Sequence, residues 1–248
     1  MIGASLAFAD GLPIEKRIAA HLRKSSMFDF AAARRMMVDG QVRTSDVTDP
    51  RIAAAMLALP RERFVPEGVA AMAYLDRDLP VTEDSGAAGR FLLKPMVLAK
   101  LIQAAEIGEG DHVLDVACAT GYSSAVLARL ARSVIALESD SGLAQRAREN
   151  LGSVAAHNVA VVTGPLPAGC AAHAPYNVIL LNGATEVTPQ TLLAQLKDGG
   201  RLVGVVGRGP ASRSTIFTAA GGRSSARPIF DATAPVLAGF TATPAFVF

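Results

Sequence analysis

The residues with the clearest chemical potential are two acids and the short turn between them. Asp115 lies in the run VLDVACATGY, Val113 to Tyr122, and Glu138 closes the apolar run that follows it. An acid about twenty residues beyond such a turn, at the end of a second strand, can accept both hydroxyls of a ribose. Ser139 follows it directly. Two further strand ends offer Gly164-Pro165-Leu166 and Asn182-Gly183-Ala184. A dinucleotide pyrophosphate requires G-x-G-x-x-G before a helix N-terminus. This turn reads Ala117-Cys118-Ala119-Thr120-Gly121-Tyr122, with the wrong glycine spacing. Asp115 is badly placed for a pyrophosphate and well placed for a cationic amino acid group. The combination favours S-adenosylmethionine over NAD.

These positions need a scaffold that ends several strands on one edge. From residue 112 onward the sequence alternates between the two periodicities. HVLDVA, SVIALES, NVAVVTG, NVILLNG and RLVGVVG read as strands. SSAVLARLA, LAQRARENLG and TPQTLLAQLKDGG read as helices, the last closed by a glycine pair. Such alternation predicts an α/β fold with a doubly wound, mostly parallel sheet. Before it, Phe28 to Val38 reads as a helix ended by Gly40, and Asp49-Pro50 caps another that runs to Pro60. Pro66 breaks the next segment. Residues 79–95 read as a long loop, and Pro95 opens a helix that Gly108 ends. Beyond Gly209 a hairpin turning at Gly221-Gly222 is expected, then a terminal strand in PAFVF. The expected organisation is an extension over 1–26, flexible or preceding a true start at Met27. A helical subdomain with the acceptor loop follows over 27–95, a Rossmann-like core over 96–210, and C-terminal strands over 211–248.

Bulk composition narrows the partners. Half of the 248 residues are apolar, enough for a sizeable core. No apolar run approaches the about 18 residues of a membrane span. Net charge is +2, Trp is absent and there are three Tyr. No basic stripe or stacking surface for nucleic acid is visible, and Arg34, Arg35, Arg208, Arg213, Arg223 and Arg227 read as solvated surface. The two cysteines, Cys118 and Cys170, suit neither a disulfide framework nor a structural zinc site. A cytoplasmic monomer or homodimer is expected, with no membrane or nucleic-acid partner. Cys118 reads as an inert small core residue, and the four dispersed histidines as surface or strand-edge groups.

Beyond the cofactor turn, LPRERFVP (Leu59 to Pro66), AYLDRDLPV (Ala73 to Val81), APYNVILLNGA (Ala174 to Ala184) and LLAQLKDGGRLVGVVG (Leu192 to Gly207) carry a resemblance. From about Met36 to Phe248 the chain resembles the protein-L-isoaspartate O-methyltransferases, class I S-adenosylmethionine-dependent enzymes. The resemblance implies a seven-stranded sheet with its last strand antiparallel, an N-terminal helical subdomain and a C-terminal addition. It implies S-adenosylmethionine as cofactor, held by Asp115, Ala117, Cys118, Ala119, Gly121, Tyr122, Glu138, Ser139, Pro165, Leu166 and Asn182. The implied substrate is a protein or peptide carrying isoaspartyl residues.

The chain departs from the family's pattern in three places. The family's turn, approximately E-I-G-T-G-S-G-Y, has glycines where Ala117 and Ala119 stand; if φ is positive there, each alanine costs on the order of 1 kcal/mol. The family's G-Q-T-I-S-x-P acceptor segment is GRFLLKP, Gly89 to Pro95, with Arg90, Phe91 and Leu93 at the glutamine, threonine and serine positions. The family's G-D-G after the third strand is Gly164-Pro165-Leu166. Arg90 and Lys94 are candidates to clamp an acceptor carboxylate in place of the lost hydroxyls. Arg90, Leu93 and Asn182 are the candidate reaction-site residues. Methyl transfer to an ionised carboxylate requires alignment and no general base, which fits the absence of a Ser-His-Asp set. Two alternatives stand beside isoaspartyl repair: a methyltransferase of the same fold with another acceptor, and a non-catalytic cofactor-binding or interaction protein.

Overall fold

The computed structural model describes residues 29–82 and 89–243. The expected N-terminal extension, Glu83 and Asp84, whose sequence reads as solvent-facing, and the expected terminal strand in PAFVF lie outside the described residues. Helix α1 (Phe30–Met37) is capped by Asp29, whose side chain accepts from the Ala32 amide. It does not stop at Gly40. A π-helical turn, Val38–Val42, carries the chain past it because Val38 and Val42 are both buried. Helix α2 (Pro50–Ala58) starts as its sequence predicts, with Asp49 as cap and Pro50 at its first position. The segment 79–95 is not all loop. Strands β1 (Leu79–Pro80) and β2 (Phe91–Leu92) pair antiparallel, followed by α3 (Pro95–Ala104).

The main sheet contains β3 (His112–Val116), β4 (Ser133–Glu138), β5 (Val159–Thr163), β6 (Tyr176–Thr185), β7 (Leu196–Val206), β8 (Arg213–Ala220) and β9 (Arg223–Asp231). Its order is β5-β4-β3-β6-β7-β8-β9. The first five in sequence are parallel; β8 runs antiparallel to β7, and β9 to β8. Helices α4 (Tyr122–Leu127), α5 (Ser141–Ser153) and α6 (Gln190–Leu193) connect the parallel strands. The helix expected through KDGG ends early. Leu196 already pairs with Tyr176, so Leu196–Gly200 belongs to β7 and tertiary pairing overrides the helical pattern. The hairpin turn at Gly221-Gly222 forms as expected, both glycines having positive φ.

Strand alternation aims the acids. In β3, Val113 packs in one apolar cluster, while Leu114 and Val116 pack in another. In β4, Val134 and Ala136 join the first cluster and Ile135 and Leu137 the second. In β6, Val178 and Leu180 alternate in the same way with Ile179 and Leu181. A period of two therefore puts Asp115, Glu138 and Asn182 on the face covered by α3 and the N-terminal helices. The strand order reverses at β3, where doubly wound sheets open a crevice at their carboxyl ends.

Candidate active site

Asp115 is fully buried and satisfied on both oxygens. Its Oδ2 accepts from Ser123 Oγ at 2.7 Å and Ser124 Oγ at 2.6 Å, both at the start of α4. Its Oδ1 accepts from Asn182 Nδ2 at 2.6 Å, a bond that crosses the β3–β6 crevice. Burial pushes the Asp115 carboxyl up to about 7, against the pull of those three side chains. Asn182 sits within β6 rather than in a turn after it, at an irregularity in the β6–β7 register. The next residue must be glycine. A Cβ on Gly183 would lie 2.6 Å from Leu237 Cγ, where the C-terminal segment bonds back to β6.

The turn between β3 and α4 answers the question its alanines pose. Ala117 has φ 63°, Ala119 has φ 53° and Gly121 has φ 92°. Both alanines therefore sit in the left-handed region, where a Cβ is strained. The turn keeps this shape because its amides are used. Ala117 and Cys118 donate to Leu137 O at 2.9 and 3.1 Å, and Ala119 donates to Glu138 Oε2 at 3.0 Å. Cys118 is buried and its thiol is pushed well up by burial, which agrees with an inert core role.

Glu138 is fully buried, and its second oxygen is crowded. Oε1 accepts from Ser139 N at 2.7 Å, Asp140 N at 3.1 Å, Ser139 Oγ at 3.3 Å and Arg90 Nε at 3.0 Å. Arg90 Nη2 also donates to Ser139 Oγ at 2.6 Å. Arg90 is thus neither a solvated loop residue nor a clamp facing the acceptor. It is 5% exposed and committed to Glu138, because β1–β2 pairing holds residue 90 above the end of β4. Lys94 is also directed elsewhere, donating to Thr233 Oγ1 at 3.0 Å.

Leu93 is buried, and with Phe91, Cys118, Tyr122, Ser123 and Asn182 it lines a cavity of only about 10 Å³. Leu166 is buried among Leu137, Ile179 and Phe240, a core position on the opposite face. Pro165 precedes it in a tight turn whose Gly164 amide bonds to Glu138 O at 3.0 Å.

Sequence reasoning passed over Arg61, Ser123 and Ser124. Arg61 is wholly buried; Nε donates to Ala73 O at 2.7 Å and Nη2 to Leu93 O at 2.8 Å, while Nη1 has no hydrogen-bond partner among the described residues. Its guanidinium lies 4.6 Å from the centre of the Tyr122 ring. Sequence carried no signal for it, because Glu62 and the exposed Arg63 follow it in a stretch that reads as charged surface. Arg34 was likewise misjudged as solvated. It bonds Tyr74 Oη at 2.9 Å and pairs with Glu62 at 3.2 Å.

A sequence profile for protein-L-isoaspartate(D-aspartate) O-methyltransferase matches residues 33–224. The chain belongs to this family. Among its relatives, the Methanoculleus marisnigri protein-L-isoaspartate O-methyltransferase is 38% identical over 174 residues, covering 70% of this chain and 77% of that one. The Herpetosiphon aurantiacus enzyme of the same name is also 38% identical, over 70% and 75% of the two chains. A solved protein-L-isoaspartate O-methyltransferase superposes with TM-score 0.71 at 24% identity, over 83% of this chain and 66% of the other. A Plasmodium falciparum beta-aspartate methyltransferase, solved with S-adenosyl-L-homocysteine, superposes with TM-score 0.69 at 17% identity, over 82% and 97%. At such identities the structures speak to fold, which is the class I methyltransferase architecture. Among the described residues no helix is long and apolar enough to cross a membrane, and no cluster of His, Cys, Asp and Glu could hold a metal ion.

The donor set suits S-adenosylmethionine. Glu138, at the end of β4, has the chemistry of a diol acceptor, and Asp115 is a buried carboxyl at the crevice that ionises at about 7. The space is less accommodating. Small-molecule sites commonly need about 300 Å³ or more, and the cavity that Phe91, Leu93 and Asn182 line holds only about 10 Å³. The cofactor fits the chemistry of these residues.

Proposed function

We propose that the protein is an S-adenosylmethionine-dependent methyltransferase that esterifies a carboxylate of isoaspartyl residues in proteins or peptides, in the cytoplasm. The observation that carries this reading is the pair of buried carboxylates, Asp115 and Glu138, at neighbouring strand ends beside the strand-order reversal, in a chain of this family. The bound sulfonium would supply an electrophilic methyl group, captured in line by a carboxylate that needs no general base. Glu138 and the Ala119 amide would hold the adenosine ribose. Asp115, fixed by Ser123, Ser124 and Asn182, would attract the cationic amino acid portion. The buried residues around this crevice would exclude water from the reacting atoms.

A second reading, another acceptor on the same fold, is favoured by one feature. Phe91 and Leu93 stand where the family carries hydroxyls, and Leu93 is buried beside Asn182. Carboxylate recognition by side-chain hydroxyls is absent from these two positions. Incubation with methyl-labelled S-adenosylmethionine and an isoaspartyl peptide, followed by base-released methanol counting, tests the first reading. Label in the methanol fraction is the expected result. Cofactor binding with no transfer to that peptide would overturn isoaspartyl activity in favour of the other acceptor.

A further inference from the structure

Glu138 presents a carboxylate with about four acceptor positions. Oε1 alone receives four donors, and Oε2 receives the Ala119 amide. Four of the five come from the turn and strand end themselves: Ala119 N, Ser139 N, Ser139 Oγ and Asp140 N. Local backbone geometry holds them. Arg90 is the one that arrives from a distant segment, 48 residues earlier in the chain. Oε2 keeps one acceptor position beside the Ala119 amide, but the second hydroxyl of a ribose diol reaches the crowded Oε1 only by displacing a donor, and the Arg90 guanidinium is the one that can leave without unfolding the turn.

Arg90 is also well anchored. Its carbonyl accepts from the Val81 amide at 2.9 Å, and its amide donates to Thr82 Oγ1 at 3.3 Å. The neighbouring Phe91 and Leu92 are locked in register with β1. The side chain is held over Glu138 by its own strand pair. The ion pair is nearly dry, with side-chain exposure of 6% for Arg90 and 0% for Glu138, so solvent screens it little.

We propose that Arg90 sets the cofactor affinity of this site by occupying the ribose position on Glu138. S-Adenosylmethionine binds in competition with an internal guanidinium. The proposal rests on the methyltransferase reading above and adds a residue whose effect is opposite to that of a ligand-binding group: its removal strengthens binding.

The test is isothermal titration of the full chain with S-adenosylmethionine and with S-adenosylhomocysteine, for wild type, R90Q and R90K. Glutamine is neutral and shorter, and it matches the family pattern at this position. R90Q is expected to bind both ligands about tenfold more tightly, the scale of one charge-assisted bond that no longer has to be broken. R90K, which keeps the charge and loses the planar fork, is expected to fall between the two. Thermal melting without ligand monitors folding, and R90Q is expected to melt lower than wild type because Glu138 loses its partner. Lower melting with unchanged or weaker affinity would assign Arg90 a structural role and overturn the proposal. Equal tight binding by all three proteins would overturn it while leaving the methyltransferase reading intact. No binding by any folded variant at millimolar ligand would overturn both.

Discussion

Asp115 shows how a single group can hold a function and a liability. Burial raises its carboxyl to about 7, and Ser124, Ser123 and Asn182 recover only part of the lost solvation. The folded state therefore holds a proton that the unfolded state releases from about pH 4 upward. Between that pH and about 7, the folded protein binds more protons than the unfolded chain. Stability from this residue is present at low pH, falls as pH rises through the window and levels off above it. Urea unfolding of wild type and Asp115→Asn from pH 5 to 8 checks this. The variant is expected to gain on wild type by about 2–3 kcal/mol between pH 5 and 7, and little above that. A difference that does not vary with pH would refute the assignment.

At the scale of an element, the β3–α4 turn carries strain that its sequence disguises. Alanine reads as an innocuous substitute for glycine, yet Ala117 and Ala119 both have positive φ. Their amides are pinned to Leu137 O and Glu138 Oε2, so neither residue can relax without breaking a buried bond. Replacing either by glycine relieves about 1–2 kcal/mol of left-handed strain and adds somewhat less unfolded-state entropy. A net gain of about 0.5 kcal/mol per site is expected, read as a shift in denaturation midpoint. Destabilisation by both replacements would show that the turn is not strained. Gly121 is different. A Cβ there would press on Ala147 and Leu151 at 3.3 Å, so only glycine serves both the conformation and α5 packing.

Across the whole molecule, the sheet ends at β9, an edge strand that is exposed over most of its length. Its Arg223, Arg227 and Pro228 are ordinary devices against edge-to-edge pairing: two charges and a residue with no amide donor. Pro228 lies opposite Thr215 in the β8–β9 ladder, at an irregularity in register. Replacing all three with Val, Val and Thr is expected to give concentration-dependent association, seen as a rising mass in light scattering. A variant that scatters like wild type at all concentrations would show that other features protect the edge.

The alternating pattern after residue 112 determined the parallel sheet, because buried strands and amphipathic helices differ in period whatever surrounds them. It also located the acids, since strand ends fall where the apolar runs stop. Asp49-Pro50 and Gly221-Gly222 were legible for the same reason: their conformations are set within a few residues. Tertiary structure decided what local preference could not. Leu196–Gly200 became strand because Tyr176 offered a pairing edge, and Gly40 passed inside a helix because Val38 and Val42 had a core to fill. Arg61 entered the interior on the strength of two distant carbonyls. Above all, the role of Arg90 was invisible in GRFLLKP. A guanidinium pairs with whichever carboxylate the fold brings within reach, and only the packing of β1–β2 over the end of β4 made that carboxylate Glu138.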